Sequence, residues 1–357
     1  MTNKKLSKEA FDNISEFSRE FPQLSPIILE KDEFVTDVIS SIASIENPDF
    51  FIVFCEGTCL SKSYKILKRM SEDIDFKIVL REGVEMSKSQ RGKKLSLLMN
   101  DVVQILVKSG WAATEEILRE GKRSRDGNTY TNFDLLYTSS FQGSSIVRPY
   151  VKLEFNFTEL QSSPSVSVVN KMTADLLAFQ ENSHGALPLE AKGVQVKCIS
   201  LPEALAEKLI SFPRRLMKQL EKYPELSPGE ALIDEKGWDV ALVRHLYDVY
   251  EILKKTDTNL ISQDIITGVI EKDKNDFKNQ DPQFSLDPLG QLQKALDLAA
   301  RGEVSNVLKK QYIQFIGDMV YGENPPSYDD ALGVFSNALS ASGVLNNSPH
   351  PKITPKK

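Results

Sequence analysis

Residues 71–80, SEDIDFKIVL, alternate polar and apolar side chains along the chain. A period of two is typical of a β-strand that packs one face against a core and turns the other face away from it. The apolar face would comprise Ile74, Phe76, Ile78 and Leu80, and the polar face Asp73, Asp75 and Lys77. The segment therefore predicts a strand that presents two carboxylates together from one rigid element.

Three further segments predict strands. Residues 49–57, DFFIVFCEG, form a short apolar run of strand length that ends at Gly57. Residues 130–138, YTNFDLLYT, and residues 150–157, YVKLEFNF, are also typical of strands. In the last of these, Glu154 alternates with apolar neighbours and therefore projects from the polar face.

Helical spacing of apolar residues predicts three helices in the same part of the chain. One covers residues 29–44, LEKDEFVTDVISSIAS, and another covers residues 95–110, LSLLMNDVVQILVKSG, with its end at Gly110. The third covers residues 60–70, with Leu60, Tyr64 and Leu67 on one face and Lys62, Lys65 and Arg69 on another. We expect this third helix to carry Lys62 and Arg69 back toward the two aspartates.

From about residue 201 the pattern becomes helical, which predicts a second lobe. Helical patterns cover LPEALAEKLISF at residues 201–212, WDVALVRHLYDVYEILKK at residues 238–255, and weaker stretches at residues 289–321 and 328–339. The expected organisation is an α+β lobe at residues 1–198, a helical lobe at residues 199–343 that completes the active site, and a disordered tail at residues 344–357, which is rich in proline and lysine.

The composition is that of an ordinary globular protein, with 41% hydrophobic and 26% charged residues. No segment resembles a secretion signal or approaches the length of a membrane span, so we expect a cytoplasmic protein with no membrane partner. The three cysteines and three histidines lack the spacing of a zinc site or of a disulfide framework. This spacing favours buried free thiols.

The net charge of −6 argues against a uniform attraction to nucleic acid. Basic residues are nevertheless clustered at residues 91–94, 121–125 and 214–215. Each cluster is either a local patch for a nucleic acid backbone or a solvated loop, and the sequence pattern leaves both interpretations open.

The residues on the polar strand faces suggest metal-assisted phosphoryl transfer. Two aspartates one residue apart, with a third carboxylate from another strand, are ligands that a pair of Mg²⁺ (or Mn²⁺) ions requires. Gly57 and Thr58 end the apolar strand, where a small residue lets backbone amides and a hydroxyl group approach a triphosphate. The alternative is a core strand–helix–strand unit with solvated aspartates and lysines on its surface.

The stretch EGTCLSKSYKILKRMSEDIDF, residues 56–76, resembles the pattern GGTxLxK followed by RxSxDID in the AbiEii/AbiGii-type family of nucleotidyltransferase toxins. The matching residues are Thr58, Leu60, Lys62, Arg69, Ser71, Asp73, Ile74 and Asp75. Further stretches similar to the family extend the resemblance from about residue 29 to residue 339.

The resemblance implies a polymerase-β-like nucleotidyltransferase lobe, with a mixed sheet and helices, followed by a mainly helical lobe. It implies that the catalytic residues are Asp73, Asp75, Glu154, Lys208 and Asp248, with Asp73, Asp75 and Glu154 as the metal ligands. The implied nucleotide-binding residues are Gly57, Thr58, Lys62, Arg69 and Lys208. From position alone, Lys208 and Asp248 could equally be ordinary surface residues of helices.

The function implied by the resemblance is transfer of a nucleotide from an NTP to an RNA acceptor, with pyrophosphate released. The expected acceptor is the 3′ end of transfer RNA, and the expected biological role is that of a toxin with a cognate antitoxin. Two alternatives are a non-catalytic NTP-binding protein and a regulatory protein that binds an antitoxin. One departure from the family is Glu56, which stands where the family often has glycine and which could repel a nucleotide or alter the choice of metal.

Two structural consequences follow from a three-carboxylate site. Glu154 should lie on a strand next to the strand of Asp73 and Asp75. Because like charges gathered in one place repel one another, the pKa of at least one of these carboxyl groups should be raised when no cation is bound.

Overall fold

The protein is described by a computed structural model that covers residues 3–21, 25–111, 122–141, 147–175, 193–222, 238–256 and 260–345. The chain divides into two units. The first comprises residues 1–65, 70–160 and 164–199, and the second comprises residues 66–69, 161–163 and 200–357. Strands and helices occur together in the first unit and helices dominate the second, so the fold class is α+β, as predicted.

A seven-stranded sheet forms the centre of the first unit. Its strands are β1 (Phe50–Cys55), β2 (Asp73–Leu80), β3 (Lys122–Arg125), β4 (Tyr130–Leu136), β5 (Tyr150–Phe157), β6 (Ser165–Val169) and β7 (Val194–Cys198). Their order across the sheet is β3-β4-β5-β2-β1-β7-β6. The β2–β5 and β1–β7 pairs are parallel and the other neighbouring pairs are antiparallel, so the sheet is mixed.

The two faces of the sheet differ in chemistry because side chains alternate along each strand. Residues on the apolar face that are fully or almost fully buried include Phe54, Ile74, Phe76, Ile78, Phe133, Leu153 and Phe155. The same alternation turns Asp73, Asp75 and Glu154 to the opposite face, as predicted for β2 and β5. The predicted strands at residues 49–57, 130–138 and 150–157 are confirmed as β1, β4 and β5.

The helices of the first unit include α1 (Lys8–Glu20), α2 (Pro26–Ala43), α3 (Glu56–Lys62) and α4 (Lys88–Lys108). Helix α4 ends as predicted, since Gly110 follows it with a φ of 78°, a conformation that glycine adopts without a steric cost. Six apolar residues of α2 are buried, which explains why its apolar pattern was readable from the sequence.

The prediction of a helix through residues 60–70 is wrong. Helix α3 ends at Lys62, and Lys65 has a φ of 53°, in which an L-residue cannot continue a right-handed helix. The hydroxyl group of Tyr64 is tied to distant strands, because it donates to the carbonyl oxygen of Ile199 at 2.5 Å and lies 2.6 Å from Ser165 Oγ. These tertiary contacts override the local helical pattern.

The helices of the second unit are α5 (Leu201–Lys222), α6 (Arg244–Lys255), α7 (Gln263–Asp276), α8 (Pro282–Leu286), α9 (Pro288–Ala300), α10 (Gly302–Met319) and α11 (Tyr328–Ala341) among the residues described. The weak pattern at residues 289–321 corresponds to two helices, α9 and α10. They are separated at Arg301, and Gly302, the first residue of α10, has a φ of 77°.

Cys55, Cys59 and Cys198 are free and buried, as the sequence predicted. Within the described ranges, none of the helices combines the length and the apolar character needed to cross a lipid bilayer. The tail predicted to be disordered lies, from residue 346 onward, outside the described residues.

Candidate active site

Asp75 and Glu154 occupy directly opposed positions on neighbouring strands. Strands β2 and β5 run parallel, with Asp75 opposite Glu154 and Asp73 opposite Lys152. The carboxyl groups of Asp75 and Glu154 are within hydrogen-bonding reach of each other. Glu154 therefore lies where the three-carboxylate hypothesis expects it, on the strand next to the aspartates.

The environment of Asp75 opposes its ionisation. Burial, the negative charges of Glu56, Glu154 and Asp73, and a hydrogen bond to Glu154 together raise the pKa of the Asp75 carboxyl group well above its ordinary value. The expected rise in at least one carboxyl pKa is thus present. A nearby cation would favour the ionised form of this carboxyl group instead.

The pKa of Glu154 is shifted in the opposite direction from that of Asp75. Burial alone would raise its pKa, but hydrogen bonds from Lys152 and Tyr130 and the positive charge of Lys152 lower the pKa below its ordinary value. Lys152 Nζ lies 2.8 Å from Glu154 Oε1, and the Tyr130 hydroxyl group donates to the same oxygen. Glu154 therefore ionises more readily than Asp75.

Arg148 holds the third carboxylate. Its Nη2 atom lies 2.5 Å from Asp73 Oδ1, and its backbone N–H and Nε both donate to Glu72 Oε2, at 3.0 and 3.2 Å. Lys31 is 3.6 Å from Glu72 and also donates to the carbonyl oxygen of Arg148 at 2.9 Å. Cationic side chains therefore compensate the negative charge at the start of β2.

The donor set suits a hard divalent cation in its chemistry, since it consists of carboxylate oxygens on two neighbouring strands. Among the residues that the structure describes, no three His, Cys, Asp or Glu side chains are grouped so that they could hold a metal ion. Asp73 forms an ion pair with Arg148 instead. Asp75 and Glu154 fit the role of ligands, and Asp73 would have to exchange Arg148 for the ion.

Thr58 lies on helix α3 and supports β2. Its side chain is fully buried, and its hydroxyl group donates to the carbonyl oxygen of Asp73 while accepting from Ser71 Oγ at 2.7 Å. Gly57, the second residue of α3, is buried as well. Thr58 thus fixes the backbone that carries Asp73, and the predicted contacts of Gly57 and Thr58 with a nucleotide stay predictions.

Lys62 forms an ion pair with a carboxylate of the neighbouring helix α2. Its Nζ atom donates to Asp32 Oδ1, while Asp32 Oδ2 accepts from the backbone N–H of Met172 at 2.7 Å. Only about 8% of the Lys62 side chain is exposed. A phosphate that binds Lys62 would have to replace Asp32.

Glu56 adopts a conformation that favours glycine. Its φ is 60°, in the left-handed region, and it begins helix α3 directly after Cys55, which lies opposite Asp75 in the sheet. The charge of Glu56 is the largest electrostatic contribution to the raised pKa of Asp75 after burial itself. A family preference for glycine at this position is therefore explained by the backbone, and the side chain adds a fourth carboxylate near Asp75.

Arg69, Lys208 and Asp248 form a buried ion cluster in the second unit. Arg69 Nε and Nη2 donate to the two oxygens of Asp248 at 2.7 and 2.8 Å, and Lys208 Nζ lies 2.9 Å from Asp248 Oδ2. Burial alone would raise the pKa of Asp248, but the charges and hydrogen bonds of Arg69 and Lys208 hold it far below its ordinary value. The helix predicted to carry Arg69 together with Lys62 does not exist, and Arg69 pairs instead with a residue 179 positions away.

Sequence reasoning missed Tyr130 and Arg148 as site residues. Tyr130 lies on a strand that was predicted, but its contact with Glu154 depends on the pairing of β4 with β5. Arg148 lies in an irregular segment with no periodic signal. Lys152 shares the polar face of β5 with Glu154, and the alternation along this strand was the signal that could have assigned Lys152 to the site.

Carboxylates placed together in this way are the kind of ligands that hold divalent cations in enzymes of phosphoryl transfer. The family model described as Nucleotidyl transferase AbiEii toxin, Type IV TA system, matches residues 42–334, so this chain belongs to that family of nucleotidyltransferase toxins. The resemblance noted in the sequence is thereby confirmed.

One solved structure similar to the chain is MenT4, a nucleotidyltransferase toxin from Mycobacterium tuberculosis H37Rv. The sequence identity is 15%, the match covers 95% of this chain and 99% of that chain, and the TM-score is 0.45. A likeness at that level supports no further argument. No curated protein matches the chain.

Replacing Glu56 tests its effect on Asp75. Glu56→Gly should lower the pKa of Asp75, because one of the repelling charges is removed. It should also raise the free energy of unfolding by about 1 kcal/mol, because glycine adopts the left-handed conformation without a steric cost. Carboxyl NMR titration measures the first effect and urea denaturation at pH 7 the second.

Glu56→Gln is the matched control, since it removes the charge and keeps the strained backbone. It should reproduce the fall in pKa without the full gain in stability. A raised Asp75 pKa means that the folded state holds a proton that the unfolded chain releases, so stability falls as pH rises above the ordinary pKa of aspartic acid. Both variants should show a weaker fall, and an unchanged pH dependence in both would contradict the assignment.

Removing the charge of Asp248 should destabilise the second unit. Asp248→Asn leaves Arg69 and Lys208 as buried cations without their shared carboxylate, a change that costs about 3–5 kcal/mol. Asp329→Asn is the control, because Asp329 pairs with Lys309 at 2.9 Å but is 69% exposed and should cost at most about 1 kcal/mol. Chemical denaturation compares the two, and equal losses would show that the buried cluster contributes no more than a surface pair.

Proposed function

We propose that the protein transfers a nucleoside monophosphate from an NTP to an RNA acceptor, with release of pyrophosphate and with Mg²⁺ or Mn²⁺ as cofactor. The proposed acceptor is the 3′ end of transfer RNA. Both substrates are abundant in the cytoplasm, where we propose that the protein acts and is opposed by a cognate antitoxin. Membership of the AbiEii family supports the toxin role and the transfer reaction in general.

The observation that best supports a metal-dependent reaction is the contact between Asp75 and Glu154. Two carboxyl groups placed together on rigid strands repel each other, and the repulsion is relieved by a proton or by a cation. Asp75, Glu154 and Asp73 are the residues that would hold Mg²⁺ or Mn²⁺. Such an ion would supply Lewis acidity and neutralise charge that develops on the transferred phosphate.

The neighbouring side chains have roles that do not depend on an ion. Lys152 and Tyr130 keep Glu154 ionised and oriented, so that it can accept a proton from an acceptor hydroxyl group. Arg148 fixes Asp73 until another cation replaces it. Lys62 is the proposed phosphate ligand in the first unit, while the roles of Arg69, Lys208 and Asp248 in the reaction stay predictions of the family resemblance.

The test is incubation of the purified protein with each of the four NTPs, labelled at the α-phosphate, together with total RNA and MgCl₂ or MnCl₂. Labelled RNA and released pyrophosphate in equal amounts are the expected products. Binding of NTP without any transfer would favour the non-catalytic alternative. The gene neighbourhood of the protein is the first place to search for the antitoxin.

Asp75→Asn and Asp73→Asn should each lower the transfer rate by at least about a hundredfold, because each removes a carboxylate proposed to hold the metal ion and electrostatic stabilisation of the transition state is worth about that factor. Both variants should keep their fold, since each replacement has the shape of the original side chain. Asp101→Asn, an exposed position on α4, is the control and should transfer at the wild-type rate. A folded Asp75→Asn variant with wild-type transfer would show that the reaction takes place elsewhere.

A pair of variants separates two roles of Lys62. If Lys62 binds phosphate, Lys62→Ala should weaken NTP binding by about ten- to a hundredfold, since hydrogen bonds to charged groups are worth about 1.5–3 kcal/mol. If Lys62 only forms the ion pair with Asp32, Asp32→Asn should weaken NTP binding as much as Lys62→Ala does. Isothermal titration of both variants with a non-hydrolysable NTP analogue measures the difference, and Lys208→Ala tests the corresponding prediction for Lys208.

A further inference from the structure

The sheet face that carries the carboxylates continues to a cationic edge. Directly opposed residues of neighbouring strands have their side chains on the same face. Two rows of opposed residues cross this face, one made of Arg123, Asn132, Glu154 and Asp75 and the other of Arg125, Tyr130, Asn156 and Lys77. Two arginines of the edge strand β3 are therefore on the same side of the sheet as Asp75 and Glu154.

The arginines lie at a distance that suits a polymeric substrate. Neighbouring strands are about 4.8 Å apart, so β3 is about 10 Å from the strand of Glu154 and about 14 Å from that of Asp75. An extended nucleic acid strand covers such a distance in a few nucleotides. If the terminal 3′ hydroxyl group of an RNA chain reaches Glu154, the phosphates of the last few nucleotides of that RNA lie near β3.

Both arginines are exposed and held in place. The side chain of Arg123 is 69% exposed, and its Nη1 atom lies 2.6 Å from Asp134 Oδ2. Since an exposed ion pair is worth at most about 1 kcal/mol, a phosphate can compete with Asp134 for this guanidinium group. Arg125 stacks its guanidinium group 4.1 Å from the ring centre of Tyr130, whose hydroxyl group donates to Glu154.

We propose that Arg123 and Arg125 bind the phosphates of the acceptor RNA strand and guide its 3′ end to Glu154. The proposal rests on the proposed function, because it names the surface that the RNA acceptor would use. Planar guanidinium groups match phosphate oxygens, and Tyr130 and Asn132 lie between the two arginines and Glu154 with hydrogen-bonding groups. A local cationic edge is needed for this purpose because the chain as a whole carries a net charge of −6.

The test is binding of a fluorescein-labelled single-stranded oligoribonucleotide with a free 3′ hydroxyl group, without NTP, over a series of KCl concentrations. The double variant Arg123→Gln with Arg125→Gln should bind more weakly. The slope of log Kd against log salt should fall by about 0.7 for each lost phosphate contact, hence by about 1.4. The exposed position of Arg123 makes Arg123→Gln alone a second variant that should fold and lower the slope by about 0.7.

Arg301→Gln with Lys310→Gln is the matched control, because it removes the same charge from two exposed positions of the second unit that lie outside the basic clusters of the sequence. The control should bind the RNA with the wild-type slope. Equal slopes for wild type, the β3 variants and the control would overturn the proposal.

Two further outcomes separate this proposal from the proposed function. If the wild-type protein transfers nucleotides and the β3 variants transfer with unchanged KM for RNA, the surface is wrong and the reaction stands. If RNA binds through β3 but no NTP is ever transferred, the surface stands and the reaction is wrong. Displacement of the RNA by polyglutamate at equal charge concentration would show a site for acidic protein instead and would also overturn the proposal.

Discussion

The opposed placement of two carboxyl groups, those of Asp75 and Glu154, is the constraint on which the candidate site of the first unit depends. The parallel pairing of β2 and β5 places these groups opposite each other, and neither strand can shift by one residue without turning its apolar side chains out of the core. Lys152 and Tyr130 stabilise the ionised form of one group, and burial with nearby negative charge favours the neutral form of the other. The surrounding groups therefore favour different ionisation states in two carboxyl groups whose positions are fixed by the sheet.

Local periodicity accounts for what could be predicted of this fold from the sequence. The alternation along β2 and β5 was readable because most of their alternate apolar side chains are buried, and the apolar run of β1 was readable because most of its side chains are buried. Strand β3, with the sequence KRSR, has almost no buried side chain and was recognised only as a basic cluster. The order of the strands depends on contacts between residues far apart in the chain, which no local pattern contains.

The candidate site, like the fold, has a part that could be predicted from local sequence patterns and a part that could not. Asp73, Asp75 and Glu154 could be identified from their residue types and from their places on the polar strand faces. Their partners could not, because Tyr130 reaches Glu154 through strand pairing and Arg148 lies in an irregular segment. Helix α3 ends earlier than its pattern indicates because Tyr64 bonds to Ile199, and the expected alignment of Lys62 with Arg69 is lost for that reason. Nor could the sequence show that Lys62 already has a carboxylate partner in α2.

The short segment of residues 66–69, which belongs to the second unit, has a consequence for synthesis on the ribosome. Arg69 is made 179 residues before Asp248, an interval of about 10–40 s at ordinary rates of translation. During that interval its guanidinium group has no access to the carboxylate that neutralises it in the finished protein. The peptide of residues 66–69 thus reaches its final position only after the chain has been made as far as Asp248, which is about two thirds of its length.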